Sequence, residues 1–521
     1  MNKKINWLLI SITLLAFFLR VWQLGQLPAI LNRDEAALAY NAYLLSTTGQ
    51  DEWQKSWPLT LESFGDYKLA GYPLLLIPFL KIFGLTDLAV RLPSALAGTV
   101  LVPLVFLLAK KIKFIEKQAW LASLLIAVSP VFIWYSRLAF EANLALTYLI
   151  AALVVLLEFQ HKARRWHVPL LIILLLLAIF TYNTPLLLLP VLMIFVWLRF
   201  ANKQKNKLIL IELILGAVFL VGLRSLLALT SQKSGITIFS DETVWHEWSN
   251  FRASLNQPWQ SLIGNRYLYF IYLSIKNLFS SFSIKFLLTT GGSHPWHSLP
   301  NLGHVLWTSF CFAGVGIIAM TGRAIRACKK LTITHKRELA WLWLLFASLL
   351  PAIITVDAPH ATRSLLFFVL LQIIAVWGLV WLTGWLKQNK FIWGAIILVL
   401  VLEATHHAFQ LFIIYPKQTQ AFQPGFAQVM QTVEAEHPDQ PIAIVDPSGY
   451  HYIILAWYLK LPPDVYFKTI IRQQPNQIGF RYGEQLTHYH FIAEPQDRSQ
   501  TETILVQWSE TASVWIVEKD L

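Results

Sequence analysis

The sequence has few cysteines, few charged residues and no glycine-rich loop of the kind that binds nucleotide phosphates. Its two cysteines, Cys311 in an apolar run and Cys328 in a basic loop, provide neither a disulfide framework nor a metal–thiolate site. Charged residues make up 14% of the chain, against about a quarter in a soluble protein. We find no internal repeat, and the missing phosphate loop argues against ATP coupling or a nucleotide-linked substrate.

The sequence is instead rich in apolar residues. Hydrophobic residues make up 56% of the chain and the mean hydropathy is +0.52. They fall in runs of about 15–25 residues, the length that crosses a bilayer, and the 22 Trp, 33 Phe and 17 Tyr suit interfacial belts. We predict an all-α polytopic membrane protein with about eleven transmembrane helices. The predicted spans are 5–23, 88–109, 119–136, 142–159, 168–183, 185–200, 208–229, 302–321, 340–356, 363–386 and 391–414.

The distribution of Lys and Arg predicts the orientation of these spans. The net charge of +13 does not indicate nucleic-acid binding, because the basic residues form short clusters between apolar runs. The clusters lie in 110–117, 162–165, 199–207, 323–337 and 387–390, all on the side of Lys3 and Lys4. The positive-inside rule then places the N-terminus in the cytoplasm of a bacterial inner membrane, with an uncleaved first helix.

Two domains follow from this topology. Residues 1–414 form the transmembrane domain, with outer loops 24–87 and 230–301, and residues 415–521 form a small extracytoplasmic α/β domain. Within this tail, Phe422–Glu436 and Tyr450–Lys460 are typical of helices, while 441–446, 503–506 and 513–517 are typical of strands.

The first outer loop carries two adjacent carboxylates, Asp34 and Glu35, directly after the first predicted span. A carboxylate in this place suits a general base that takes a proton from an acceptor hydroxyl. The alternative is a helix N-terminus, where acidic residues favour the helix dipole. The residues alone leave both interpretations open.

One N-terminal helix, an outer loop opening with Asp34-Glu35, and the segment Phe64-Gly-Asp-Tyr-Lys68 before the next span together resemble the GT-C superfamily. More narrowly, the chain resembles the protein O-mannosyltransferases and the bacterial lipid A aminoarabinose transferases over about residues 5–415. The resemblance implies inverting transfer of a sugar from a polyprenyl-phosphate donor. It also implies that Asp34 lies at the catalytic centre and that Glu35 completes the pair.

Several residues near predicted membrane boundaries join this candidate site. The resemblance implies that Lys68 holds the departing lipid phosphate and that Glu141 is a second catalytic carboxylate; a lysine directed to the interface is the alternative for Lys68. Asp66 and Tyr67 are candidate substrate-binding residues. Arg137 is a candidate phosphate ligand, or else forms an i,i+4 salt bridge with Glu141.

A further set of candidates lies in the later outer loops. Arg363 can grip a phosphate with its planar fork, with a membrane anchor as the alternative. His294, His297 and His360 are candidate substrate-binding residues. A divalent cation is a candidate cofactor, with Asp66, His294 and His297 as its candidate ligands, whereas ordering of the loop is the alternative role for the histidines.

The sequence therefore predicts a hexosyl- or pentosyltransferase of the cell envelope that uses a polyprenyl-phosphate sugar. Its acceptor is an extracytoplasmic glycan, lipid or protein, and membrane lipids surround it. A transporter or flippase, or a lipid-carrier ligase of envelope glycans, is the alternative. Transporters usually have internal repeats and charges within the membrane, whereas the carboxylates here lie in a long outer loop.

Overall fold

The computed structural model describes residues 6–200, 205–230, 236–292, 294–328, 333–385, 390–418, 420–476, 479–499 and 504–519. Lys3, Lys4 and parts of the basic loops, namely 201–204, 329–332 and 386–389, lie outside these ranges. Backbone contacts divide the chain into two compact units. We call residues 1–20, 96–136 and 142–411 the helical unit, and residues 21–95, 137–141 and 412–521 the mixed unit.

Helices dominate the described chain. In order, they are α1 Trp7–Val21, α2 Arg33–Thr48, α3 Gly71–Phe83, α4 Asp87–Lys111, α5 Glu116–Val128, α6 Pro130–Arg137, α7 Glu141–His161, α8 His167–Thr181, α9 Thr184–Phe200, α10 Lys205–Thr230, α11 Glu242–Ser254, α12 Trp259–Leu262, α13 Arg266–Ser281, α14 Trp307–Cys328, α15 Ile333–Ala347, α16 Leu350–Ile353, α17 Leu365–Trp385, α18 Lys390–Phe409, α19 Phe426–Glu436, α20 His451–Tyr458 and α21 Pro463–Thr469.

Six of the described helical segments are long and apolar enough to cross a membrane, and the pair α5–α6, bent by 52°, gives up to seven. The six are Asp87–Lys111, Glu141–His161, Lys205–Arg224, Trp307–Arg326, Thr362–Gly384 and Phe391–Lys417. Four further predicted spans coincide with apolar helices of 10–17 residues, and α3 is another such helix. The chain is a membrane protein, while the number of eleven spans stays a prediction.

Helices α14 and α17 of the helical unit approach each other through glycines. A Cβ atom built on Gly378 would lie 1.9 Å from the carbonyl oxygen of Phe312, and one on Gly316 would lie 2.4 Å from that of Ile374. Small residues allow membrane helices to come into backbone contact. Because any larger side chain would separate these helices, both glycines are required by packing.

The mixed unit contains two sheets. Strands β1 (Thr60–Ser63) and β2 (Asp66–Leu69) form an antiparallel hairpin. The tail supplies β3 Ile442–Val445, β4 Ile471–Arg472, β5 Gly483–Leu486, β6 Tyr489–Ile492, β7 Ile504–Ser509 and β8 Val514–Lys519. These form a sheet in the order β4-β5-β6-β3-β7-β8, in which β3 is parallel to both of its neighbours. The predicted α/β region at the C-terminus is therefore confirmed in outline.

The first outer loop and the tail share one buried polar network inside the mixed unit. The carboxylate of Glu52, which is fully buried, accepts hydrogen bonds from Tyr466 at 3.0 Å and Tyr452 at 3.3 Å, and Arg472 lies 3.4 Å from it. Asn41 of α2 donates to the same carboxylate at 3.3 Å. Burial raises the pKa of Glu52, and Arg472 opposes that change. A buried carboxylate needs such partners, so the loop and the tail depend on each other for stability.

The β1–β2 hairpin also rests on the tail. Its two-residue turn, Phe64-Gly65, has positive φ at both positions (44° and 80°), as a type I′ turn requires. The hydroxyl of Tyr452 accepts a hydrogen bond from the amide of Phe64 at 3.1 Å, and the carbonyl oxygen of Phe64 accepts one from the amide of Arg481 at 3.2 Å. A Cβ atom on Gly65 would lie 2.5 Å from the carbonyl oxygen of Gly479. The turn before Asp66 therefore has a fixed position against the tail.

Candidate active site

The first carboxylate of the candidate site stands on the first turn of α2. Asn32 precedes this helix, and its side-chain oxygen accepts from the amides of Asp34 at 2.9 Å and Glu35 at 3.0 Å. Glu35 in turn accepts from the amide of Asn32 at 3.1 Å, which completes a capping box. The helix-start interpretation of these acidic residues is therefore correct for the backbone. It leaves the carboxylate of Asp34 available for other contacts.

Glu35 is fully buried and paired with Arg91 of α4. Its two oxygens lie 3.0 and 3.2 Å from the guanidinium of Arg91, and the amide of Ala139 donates to it at 2.8 Å. Arg91 also donates to the carbonyl oxygens of Leu24, Pro28 and Ile30. Since both oxygens of Glu35 have protein partners, the arrangement suits a residue that positions the start of α2.

Strand β2 supplies the next two charged residues. Successive side chains of a strand point to opposite faces, so Asp66 and Lys68 share one face while Tyr67 lies on the other. Glu62 of β1 is directly opposite Tyr67 in the hairpin. Burial and a hydrogen bond to Glu62 raise the pKa of Tyr67 to about 12. The structure therefore places Tyr67 beside Glu62.

Lys68 joins Asp34 and Asp66. Its ammonium nitrogen lies 3.0 Å from Oδ1 of Asp34 and 3.0 Å from Oδ2 of Asp66, and its side chain is 11% exposed. Burial alone would lower the pKa of Lys68, but the two carboxylates raise it above its ordinary value. Burial would likewise raise the pKa of Asp34, but the positive charges of Lys68 and Arg33 outweigh burial and lower it. The result is an ionised aspartate beside a fixed ammonium group.

Arg33, which is not among the site residues predicted from the sequence, belongs to the same cluster. Its Nε lies 3.9 Å from the same oxygen of Asp34 that Lys68 contacts. The centre of its guanidinium is 5.6 Å from the ring centroid of Phe64 and 5.2 Å from that of Tyr450. The only signal in the sequence is that Arg33 precedes Asp34. Tyr450 comes from the tail, more than four hundred residues away, and no local pattern could have placed it here.

Arg137 and Glu141 begin and end the short segment 137–141 of the mixed unit, where α6 ends and α7 begins. Glu141 is the first residue of α7, and its charge acts on Lys68. The guanidinium of Arg137, in contrast, is buried against backbone: it donates to the carbonyl oxygens of Trp22 at 2.8 Å and Leu27 at 2.9 Å. These contacts are typical of a structural arginine, so its phosphate-binding role stays a prediction without support from its position.

The remaining candidates form a group in the helical unit. The rings of His294 and His297 stack with centroids 4.6 Å apart, and His360 lies 4.7 Å from His297. Arg363 is ion-paired with Asp357 and donates to the hydroxyl of Thr355 at 2.9 Å. Burial and the nearby Arg363 lower the pKa of His360 well below its usual value. Their proposed contacts with substrate stay predictions.

No group of three or more His, Cys, Asp or Glu side chains within the described ranges is arranged to hold a metal ion. Asp66, His294 and His297 therefore remain candidate ligands on the strength of their residue types alone.

Residues 71–179, less than half of the chain, match the family of dolichyl-phosphate-mannose-protein mannosyltransferases. A search of curated protein sequences gives no match.

Solved structures give the wider similarity. The oligosaccharyltransferase of Archaeoglobus fulgidus, crystallised with a tethered acceptor peptide, matches with a TM-score of 0.52 at 14% identity over 87% of this chain and 63% of that one. The same organism's AglB, in complex with an inhibitory peptide and a dolichol-phosphate, matches with a TM-score of 0.53 at 12% identity. The match covers 96% of this chain and 69% of that one. ArnT from Cupriavidus metallidurans, bound to undecaprenyl phosphate, matches with a TM-score of 0.43 at 14% identity. The match covers 87% of this chain and 84% of that one.

The chain thus spans about two thirds of the archaeal oligosaccharyltransferases that share its fold. The resemblance to the GT-C glycosyltransferases that the sequence predicts is confirmed by the family match together with this fold.

Proposed function

We propose that this protein is a membrane glycosyltransferase that moves a sugar from a polyprenyl-phosphate carrier to an acceptor on the outer side of the membrane. The observation that carries the proposal is the contact of 3.0 Å between Lys68 and Asp34. It sets a proton acceptor beside a cation, which are the two groups that displacement of a lipid phosphate needs. The GT-C fold and the mannosyltransferase family match support the same reaction class.

The reaction is a single displacement at the anomeric carbon. An acceptor hydroxyl forms a new bond to that carbon while the bond to the phosphate oxygen breaks, and the leaving lipid phosphate keeps the electron pair. Asp34 accepts the hydroxyl proton, and Lys68 offsets the charge that develops on the phosphate. Attack from the face opposite the leaving group inverts the anomeric configuration.

The surrounding residues hold this geometry. The pair of Glu35 and Arg91 fixes the first turn of α2, which carries Asp34. The hairpin turn held by Tyr452 and Arg481 fixes the register of β2, which carries Lys68. Preorganisation of this kind stabilises a transition state because the charged groups need not reorient during the reaction. Asp66 also contacts the ammonium group of Lys68 and raises the pKa of that group.

Proteoliposomes with an undecaprenyl-phosphate sugar labelled in the sugar test the proposal. We expect equal amounts of lipid phosphate released and sugar transferred, with inversion at the anomeric carbon. Movement of labelled donor across the bilayer without cleavage of the sugar–phosphate bond would instead indicate a flippase. Transfer of a preassembled glycan, with no use of the monosaccharide donor, would indicate a ligase.

A further inference from the structure

The positive charge of Lys68 is already offset by the carboxylates that contact it. Its ammonium group is shared by Asp34 and Asp66, each at 3.0 Å, so its single positive charge faces two negative ones. The charge of Glu141 acts on it as well. A lipid phosphate that entered this group would add negative charge where carboxylates already outnumber the ammonium group, so a second positive group would favour its binding.

Arg33 is a second cation at the same place. Its Nε lies 3.9 Å from Oδ1 of Asp34, and its side chain is 35% exposed, three times the exposure of Lys68. The rings of Phe64 and Tyr450 lie 5.6 and 5.2 Å from its guanidinium centre. A cation over an aromatic ring is held by the charge distribution of the ring and not by a conventional hydrogen bond, so these contacts are compatible with donation of guanidinium N–H groups to an anion.

A short turn in the tail sets the position of Tyr450. Asp446, at the end of β3, accepts from the amides of Gly449 at 2.8 Å and His451 at 2.7 Å, and His451 Nδ1 lies 2.7 Å from it. Gly449 has φ of +75°, and a Cβ atom there would lie 2.3 Å from the ring of Tyr482. These contacts constrain the turn, and Tyr450 within it lies beside Arg33.

From these contacts we infer that Arg33 is the second phosphate-binding cation of the site, and that the tail, through Tyr450, holds it in place. The inference rests on the proposed function and extends it. Its ligand is the phosphate monoester or diester of a polyprenyl chain. Arg33 would contact the phosphate directly, whereas Tyr450 is a positioning residue that acts through Arg33.

Binding of two lipids that differ only in the headgroup tests the inference. Undecaprenyl phosphate and undecaprenol are titrated against the full chain in nanodiscs, with thermal unfolding as a check of the fold. We expect Arg33→Ala to weaken binding of the phosphate about ten- to a hundredfold, the scale of hydrogen bonds to a charged group, and to leave binding of the alcohol unchanged. Arg33→Lys should recover little, because it keeps the charge and loses the planar fork.

Two further variants test the positioning role. Tyr450→Phe keeps the ring and should bind undecaprenyl phosphate like the wild type. Tyr450→Leu removes the ring, and its affinity for undecaprenyl phosphate should be several-fold lower. Arg252→Ala is the matched control, since Arg252 is also an exposed arginine over an aromatic ring, Trp248, at 5.8 Å, and it should change neither titration.

Two outcomes overturn the inference while leaving the proposed function intact. One is an Arg33→Ala protein that keeps the full preference for phosphate, and the other is equal loss for both lipids, which indicates a structural role. A wild-type protein that binds both lipids equally contradicts the proposed function itself.

Discussion

The ammonium group of Lys68 lies 3.0 Å from the carboxylate of Asp34, and each residue holds the other in its charged form. The cation outweighs the effect of burial and lowers the pKa of Asp34, while the carboxylates raise the pKa of Lys68. Asp34 is therefore ready to accept a proton at any physiological pH. The contact has direct consequences for how transfer should depend on pH.

Replacing Lys68 by Gln should move the acidic limb of the pH–rate profile to higher pH. Without the ammonium group, burial remains to raise the pKa of Asp34, so the base is protonated at a higher pH than in the wild type. The measurement is kcat/KM for transfer, which reports the ionisation of the free enzyme. Lys55→Gln is the control, because Lys55 forms a comparable pair with Glu62 at 3.3 Å. An unchanged midpoint in Lys68→Gln would show that Lys68 does not control this base.

Glu35→Gln should destabilise the protein, whereas Asp34→Asn should not. The first change leaves the buried guanidinium of Arg91 without its charged partner, a loss of about 3–5 kcal/mol in comparable buried pairs. The second changes a side chain that is 27% exposed. Thermal unfolding at one scan rate compares the two. Equal unfolding temperatures would contradict the positioning role of Glu35.

Arg472→Met should weaken the mixed unit in a pH-dependent way. Burial already raises the pKa of Glu52, and removal of Arg472 raises it further. The folded state then binds a proton more tightly than the unfolded state, so the loss in free energy of unfolding is greatest at neutral pH and shrinks as the pH falls. Unfolding between pH 5 and 7.5 measures it. Arg481→Met is the matched control, because both arginines contact Trp53; a deficit independent of pH would exclude this cause.

The orientation predicted from Lys and Arg is tested by reporter fusions. Fusions after Lys117, Arg165 and Lys205 should report the cytoplasm. Fusions after Gly65, Gly292 and Asp446 should report the outer side. A cytoplasmic signal at Gly65 would place Asp34 on the wrong side of the membrane for an extracytoplasmic acceptor.

Local patterns and the family resemblance together singled out the parts of the candidate site that are close in sequence. Asp34 and Glu35 follow the first apolar run, so residue type and position indicated them, whereas Asp66 and Lys68 were assigned through the resemblance to the GT-C transferases. The same signals could not separate the roles of the two adjacent carboxylates. That difference depends on Arg91, a partner 56 residues from Glu35.

The contribution of the tail required the structure. Strand β3 could be predicted from its apolar run before Asp446, but its pairing with β6 and β7 joins segments separated by irregular connections. The contacts of Tyr450 with Arg33 and of Tyr452 with Glu52 bridge about four hundred residues. Such contacts depend on tertiary packing, which hydrophobic periodicity does not encode. The count of eleven spans stays a prediction, because several of the apolar helices are shorter than the runs that predicted them.

Sugar transfer by Asp34→Asn from a labelled undecaprenyl-phosphate donor in proteoliposomes measures whether Asp34 is the catalytic base. The amide keeps the shape of the side chain and cannot accept the proton. We expect a rate at least about a hundredfold lower, with the unfolding temperature and the binding of undecaprenyl phosphate close to those of the wild type. An Asp34→Asn protein that is folded, binds the lipid and transfers sugar at the wild-type rate would contradict that role.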